Sequence, residues 1–365
     1  SAFGHLALTA NTTGTSNVAV GYAALDANTT GAENTAVGYQ SLSANTTAQQ
    51  NTAIGRLALL LNTTGSHNTA VGSATLDANT TGEYNVAVGN AALGANTTAD
   101  NNTAVGYSAL AANTTGTGNT VVGMQAGDAI TTGASHTLMG KSSGTAITTC
   151  EENAFFGFAT GNSVTTGSYN TFLGSHAGTY GVATTTGIRN ICIGTYPHTS
   201  AVDSQKQHVM GYNVVGAADS SFTFGDGSTD SSISFGATSI TAPSDVRLKE
   251  DIQDEEVGLS FINDLRPVTF RWKKEKDIPS DMRAHVADSE ERVMNGKYNH
   301  GFIAQEVKEV IDNHNLKDGF DMWTEDETDG RQRLGEGALM SVMVKAVQEL
   351  SAKVEVLEKQ LNNKE

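Results

Sequence analysis

Two residues two-thirds of the way along the chain could do covalent chemistry. Ser244 carries a hydroxyl and Lys249 an amine, five residues apart in the run Pro243-Ser244-Asp245-Val246-Arg247-Leu248-Lys249-Glu250. A serine hydroxyl is a weak nucleophile at its own pKa and needs a base. A lysine serves as that base where desolvation lowers its pKa and leaves a neutral amine. The spacing alone is common, and the acids beside Lys249 favour its charged form, so the pair gains weight only from its surroundings. His300 opens the run His300-Gly301-Phe302-Ile303-Ala304-Gln305-Glu306-Val307. A histidine so placed usually packs or caps; the alternative is that it assists the chemistry of that pair or closes its site. Cys150 and Cys192 form no CxxC pair and no disulfide framework, and are expected to be buried apolar thiols. No cofactor or metal is expected. The first 243 residues lack paired carboxylates at a consistent place, so no glycosidase site is visible.

The composition around these residues is divided. Residues 1–243 carry 4 Lys+Arg and 12 Asp+Glu, while residues 244–365 carry 18 and 27. Glycine runs the other way, with 32 of 39 before Ser244. Such different chemistry predicts separate domains. Both parts are acidic, which argues against a nucleic-acid partner held by phosphate neutralisation. The longest apolar run, Leu57 to Leu61, is far short of a membrane span, so no membrane insertion is expected. The chain opens at Ser1 without Met or a signal peptide, as a piece of something longer would.

A seventeen-residue repeat fills the first part. Asn-Thr/Val-Ala/Val-Val/Ile-Gly recurs with its asparagine at Asn17, Asn34, Asn51, Asn68, Asn85, Asn102 and Asn119. Asn-Thr-Thr begins at Asn11 and keeps the same step to Asn113; leucine does so from Leu25 to Leu110. Glycine carries the period from Gly4 to Gly174, after which Gly194 follows by 20. Seventeen residues suit one turn of a β-solenoid, read as strand, turn, short strand, turn. Stacked turns bring each asparagine over the last at about 4.8 Å, so asparagine ladders are expected. The strand has Val/Ile on one face and Ala/Gly on the other. One face is expected to fill the coil and the other to meet neighbouring chains around a threefold axis. Three sharper readings of the repeat fail. Glycans on seven Asn-Thr-Thr sequons would collide, the threonines run into turns rather than a flat ice-binding face, and calcium repeats need recurring Asp.

The repeat resembles the head repeats of trimeric bacterial surface adhesins, and more closely the Asn-Thr-Ala-Val-Gly-Tyr arrays of phage tail fibres. After it, Ser221-Phe222-Thr223-Phe224-Gly225 and Ser232-Ile233-Ser234-Phe235-Gly236 read as brief strands in a neck. Three blocks follow: 243–252, Leu265-Arg266-Pro267-Val268-Thr269-Phe270-Arg271-Trp272, and 300–307. Leu339, Met343, Ala346, Leu350, Val354, Leu357 and Leu361 then make a coiled-coil seam, with Glu349 and Lys353 among the residues outside it. In this order the blocks resemble the C-terminal intramolecular chaperone of endosialidase-type tail spikes and fibres. The resemblance implies a trimerisation chaperone that cleaves itself between Pro243 and Ser244. Ser244 and Lys249 would form the dyad, Asp245 and Arg247 would orient the junction, and His300 is a candidate assistant.

The expected fold is therefore mainly β: a trimeric parallel β-solenoid at 1–194, an irregular β neck at 195–243, and an α+β chaperone domain at 244–365. The domain would end in a coiled coil at about 337–362. The expected function is that of a homotrimeric tail fibre or spike segment in the virion. It would be structural and host-adhesive, with a host cell-surface receptor and other tail proteins as partners. Its only enzymatic act would be one autoproteolysis. The alternative is a bacterial trimeric adhesin fragment whose C-terminal cap is permanent. A polysaccharide-degrading spike would need a catalytic domain upstream of Ser1.

Overall fold

In the first three-residue strand after the opening turn, Val18–Val20, the central Ala19 is fully buried while both valines are more than a third exposed. The same alternation recurs in strand after strand, at Thr35–Val37, Thr52–Ile54, Thr69–Val71 and onward. Successive strands pair in parallel seventeen residues apart, Ala19 beside Ala36 and Ala36 beside Ala53. The computed structural model describes residues 1–365 except 228, 238, 242–243, 283, 317–319, 321, 326–329 and 364–365. Its fold is mainly β, a parallel solenoid of about 13 turns followed by a small α+β region and a C-terminal helix. Chain contacts divide it into Ser1–Asp245 and Val246–Glu365.

Of the two strand faces, alanine fills the coil and Val/Ile/Thr points out. The expected second short strand is not one. The segment after each Gly forms turns in which two residues take left-handed backbone, such as Ala23 (φ 51°) and Leu25 (φ 55°). Left-handed backbone costs an L-residue roughly 1–2 kcal/mol. Here it aims Ala23 N–H at His5 O of the preceding coil (2.9 Å) and Leu25 N–H at Ser41 O of the next (3.0 Å). It also buries the leucine side chain completely, worth roughly 1.5–3 kcal/mol. Stacking thus overrides local preference.

Two asparagine ladders run through the coil. In one, Asn28 Nδ2 donates to Asn11 Oδ1 (2.9 Å) and to Gly31 O (3.0 Å), a pattern repeated to Asn113. Ile130 takes the next position, and Asn113 Oδ1 has no hydrogen-bond partner among the described residues. In the other, Asn34 Oδ1 accepts the backbone N–H of Asn51 (3.0 Å), and Asn34 Nδ2 donates to Ala48 O (2.8 Å). Buried amides are thereby satisfied one coil at a time.

The coil interior changes its filling partway. The alanine column becomes Val121, Leu138, Phe155 and Phe172, while the leucine column becomes Gly127, Gly144, Gly161 and Gly178. Volume is exchanged between the two: a Cβ on Gly161 would lie 2.2 Å from the Phe155 ring, and Phe155 stacks on Phe172 at 4.8 Å. The sheet does not stop at Gly194. Gln207–Tyr212 and Ser221–Asp226 continue it in parallel, and Thr229–Ser234 turns back antiparallel to close it. Of the two segments expected as brief strands, 221–225 lies within Ser221–Asp226, while 232–236 overlaps Thr229–Ser234 only at 232–234.

Among its described residues the C-terminal unit packs three α-helices: α1 (Leu259–Asp264), α2 (Ala304–Asn313) and α3 (Leu339–Asn362). Phe261, Val307, Ile311, Met322 and Val342 form its core. Strands Val268–Phe270 and Asn299–Gly301 pair antiparallel, as do Trp323–Glu325 and Gln332–Leu334. The seam expected on α3 is divided. Leu339 and Ala346 join the unit's own packing, whereas Met343, Leu350, Val354, Leu357 and Leu361 are exposed. No helix among the described residues is long and apolar enough to cross a membrane.

Candidate functional site

Ser244 and Asp245 end the first unit, and Lys249 lies in the second, just past the short 3-10 turn Val246–Leu248. That turn is closed by Lys249 N–H donating to Val246 O at 3.2 Å. Ser244, Arg247 and Lys249 are exposed in the single chain, and Asp245 is half-buried. Pro243, and with it the amino side of the expected cleavage bond, lies outside the described residues. His300 sits on the strand Asn299–Gly301 directly across from Thr269. Its Nδ1 faces Thr269 Oγ1 at 3.5 Å, the outer limit of a hydrogen bond.

The sequence blocks at 265–272 and 300–307 meet each other. Besides the strand pair, the Arg266 guanidinium grips Glu306 in a two-point fork, Nε to Oε2 at 2.9 Å and Nη2 to Oε1 at 2.5 Å. The guanidinium holds the Glu306 carboxyl below its ordinary value. Arg271 donates to Gly296 O (2.8 Å) and lies over the Tyr298 ring. Lys274 and Lys276 both bind Glu290, whose carboxyl they pull down to about 2. The two blocks are thus a docking pair that shapes the unit, and Glu306 serves its internal contacts.

Sequence reasoning missed one structural carboxylate. Glu349, expected outside the coiled-coil seam, instead reaches from α3 to the start of α1. Its Oε2 accepts the backbone N–H of Leu259 at 2.9 Å. A helix start leaves such N–H groups without intrahelical partners. Gly258 makes room: a Cβ there would lie 2.8 Å from the Glu349 carboxyl carbon. Glu349→Ala is expected to cost about 1 kcal/mol, the usual worth of an N-terminal cap. Urea unfolding of the C-terminal unit measures it, and Glu349→Gln, which keeps an acceptor oxygen, should lose less.

Both cysteines are buried, and burial pushes the Cys150 thiol up to about 11 and Cys192 higher still. Neither has the thiolate character that a reactive cysteine needs. A third buried group, His136, stands in the asparagine ladder; the signal that would have found it is its position, seventeen residues after Asn119.

The profile of the family described as chaperone of endosialidase matches residues 244–316. No curated protein and no solved structure matched the chain. The match and the solenoid of about 13 turns fit a tail-fibre or endosialidase-type chaperone architecture, a β-solenoid followed by an endosialidase chaperone domain. Such domains are associated with trimerisation, and this one supports a tail-fibre-like trimerisation chaperone.

Proposed function

We propose that the chain is a homotrimeric segment of a phage tail fibre or spike whose C-terminal unit joins three chains and then cuts itself free between Pro243 and Ser244. The observation that carries this reading is a coincidence of boundaries. The family match begins at Ser244, and the rod unit ends at Asp245. A cut there would separate the chaperone from the rod with almost nothing of either left on the other.

The proposed chemistry uses the two side chains at that boundary. Lys249, as a neutral amine, takes the Ser244 hydroxyl proton. Ser244 Oγ adds to the Pro243 carbonyl carbon, and the bond from that carbon to the Ser244 nitrogen breaks as Lys249 returns the proton to that nitrogen. Water then hydrolyses the ester, leaving a carboxylate on Pro243 and an amine on Ser244. A neutral lysine needs desolvation. The single chain leaves Lys249 exposed, so in this reading neighbouring chains cover it and cleavage waits for assembly. Asp245 and Arg247 orient the junction. The exposed apolar stripe of α3 forms the three-chain coiled coil. Removal of the chaperone leaves the rod's stability governed by its unfolding rate. Placement in the virion, contact with other tail proteins and adhesion to a host receptor belong to the same proposal.

Intact mass of the denatured chain tests it, beside Ser244→Ala and Lys249→Ala. The expected result is a fragment of residues 244–365 from the parent and whole chains from both variants. A parent that also stays whole would contradict self-cleavage and favour a permanent trimeric cap.

A further inference from the structure

The residue just before the glycine that ends each parallel strand points out of the coil, and it is apolar in every coil from Phe3 to Phe224. From Val20 to Val122, seven successive coils place only valine or isoleucine there. The next six place Met139, Phe156, Leu173, Ile193, Met210 and Phe224. No two neighbours in this second set are alike. The spacing also changes within it. Leu173 pairs with Ile193 across a step of 20 residues, and Met210 with Phe224 across a step of 14.

We infer that the register between chains in the rod is read from these six C-terminal outer positions, and that the coils before them carry almost no register information. This rests on the trimer proposed above and deepens it. The occupant is a second copy of this chain. A column offering one apolar side chain per coil without a polar break is matched along its length only by a partner with the same rise per coil, and the chain is such a partner. Sliding a neighbouring copy by one coil sets valine or isoleucine against valine or isoleucine throughout the first set. The same slide changes every pairing in the second set, creating gaps at some positions and overlaps at others. The unequal coil lengths prevent the backbones themselves from matching. The key thus lies in the coils nearest the chaperone domain in sequence, and the repetitive coils follow the register already set.

Two one-coil deletions in the Ser244→Ala full chain test this. One removes residues 55–71 and the other 157–173, each joining a strand to the glycine that normally follows a strand. Each is co-expressed with a differently tagged parent, and mixed trimers are counted by tandem capture and native mass. With chain ends aligned at the chaperone, the first deletion shifts only valine and isoleucine coils apart from the terminal Phe3 coil, and should mix close to the statistical ratio. The second brings Phe156 opposite Leu173 and Met139 opposite Phe156, and should give about tenfold fewer mixed trimers. A duplication of 157–173 replaces that variant if the deletion does not assemble with itself. Equal mixing by both, or mixing by neither, would overturn the inference. Single chains in every sample would sink the trimer reading itself, a separate outcome.

Discussion

Gly106→Ala is expected to open the solenoid at one coil and to cost about 3–5 kcal/mol. Gly106 ends a strand with φ 138°, a conformation that L side chains rarely adopt. A Cβ there would lie 2.5 Å from Gly123 O and 2.6 Å from Gly123 C, the backbone of the next coil. Backbone cannot rotate away as a side chain would. The coils would have to separate, weakening the strand pairing of Thr103–Val105 with Thr120–Val122. Gly118→Ala is the control. Its φ is 69°, a Cβ there would meet only Ser135 Oγ at 3.8 Å, and other coils hold Glu33, His67 and Tyr84 at the same place. That change should cost no more than about 1 kcal/mol. Urea unfolding of the two variants compares them; similar losses would mean that coil contact at Gly106 is not the cause.

Acid should weaken the rod through His136. This residue replaces asparagine in the ladder and reproduces both of its functions. Its backbone N–H donates to Asn119 Oδ1 (3.0 Å), its Nδ1 accepts the N–H of Asn153 (3.2 Å), and its Nε2 donates to Cys150 O (2.9 Å). Only the neutral ring with its proton on Nε2 fits, because a proton on Nδ1 would face another N–H. Burial lowers its pKa to about 4. The unfolded chain binds this proton near pH 6.5 and the folded chain only near 4. The stability is therefore fully present above about 6.5, falls as pH drops through the interval, and levels off below about 4. The full loss is about 3 kcal/mol per chain. His136→Asn restores the ladder residue and should remove that part of the pH dependence. The check is urea unfolding of parent and variant between pH 4 and 7. Parallel curves would show that His136 is not the sensor.

The solenoid could be read from sequence because its cause is periodic. An asparagine every seventeen residues has to land above its predecessor, and Ala19, Ala36 and Ala53 must then share one environment. The leucine segment could not be read correctly. Leu25 adopts a left-handed backbone that its own preference disfavours, and only hydrogen bonds to the coils on either side impose it. Glu349 was likewise hidden, because its partner at Leu259 is distant in sequence. The blocks at 265–272 and 300–307 were legible as motifs, but the Arg266–Glu306 fork that joins them is a product of folding. Of the candidate dyad, the sequence supplies the residue types, Ser244 and Lys249. The desolvation that would make Lys249 a base is not a property of a single chain whose Lys249 is exposed. In the proposed function it comes with assembly, to which a sequence motif is blind.

The central claim is that the C-terminal unit makes the rod trimeric. Native mass of the freshly purified Ser244→Ala full chain, beside a chain ending at Pro243, tests it most directly. The account predicts three chain masses for the full chain, retained on dilution, and no stable trimer from the chain that never carried the C-terminal unit. A full chain that runs as one copy, or a truncated chain that assembles equally well, would contradict it.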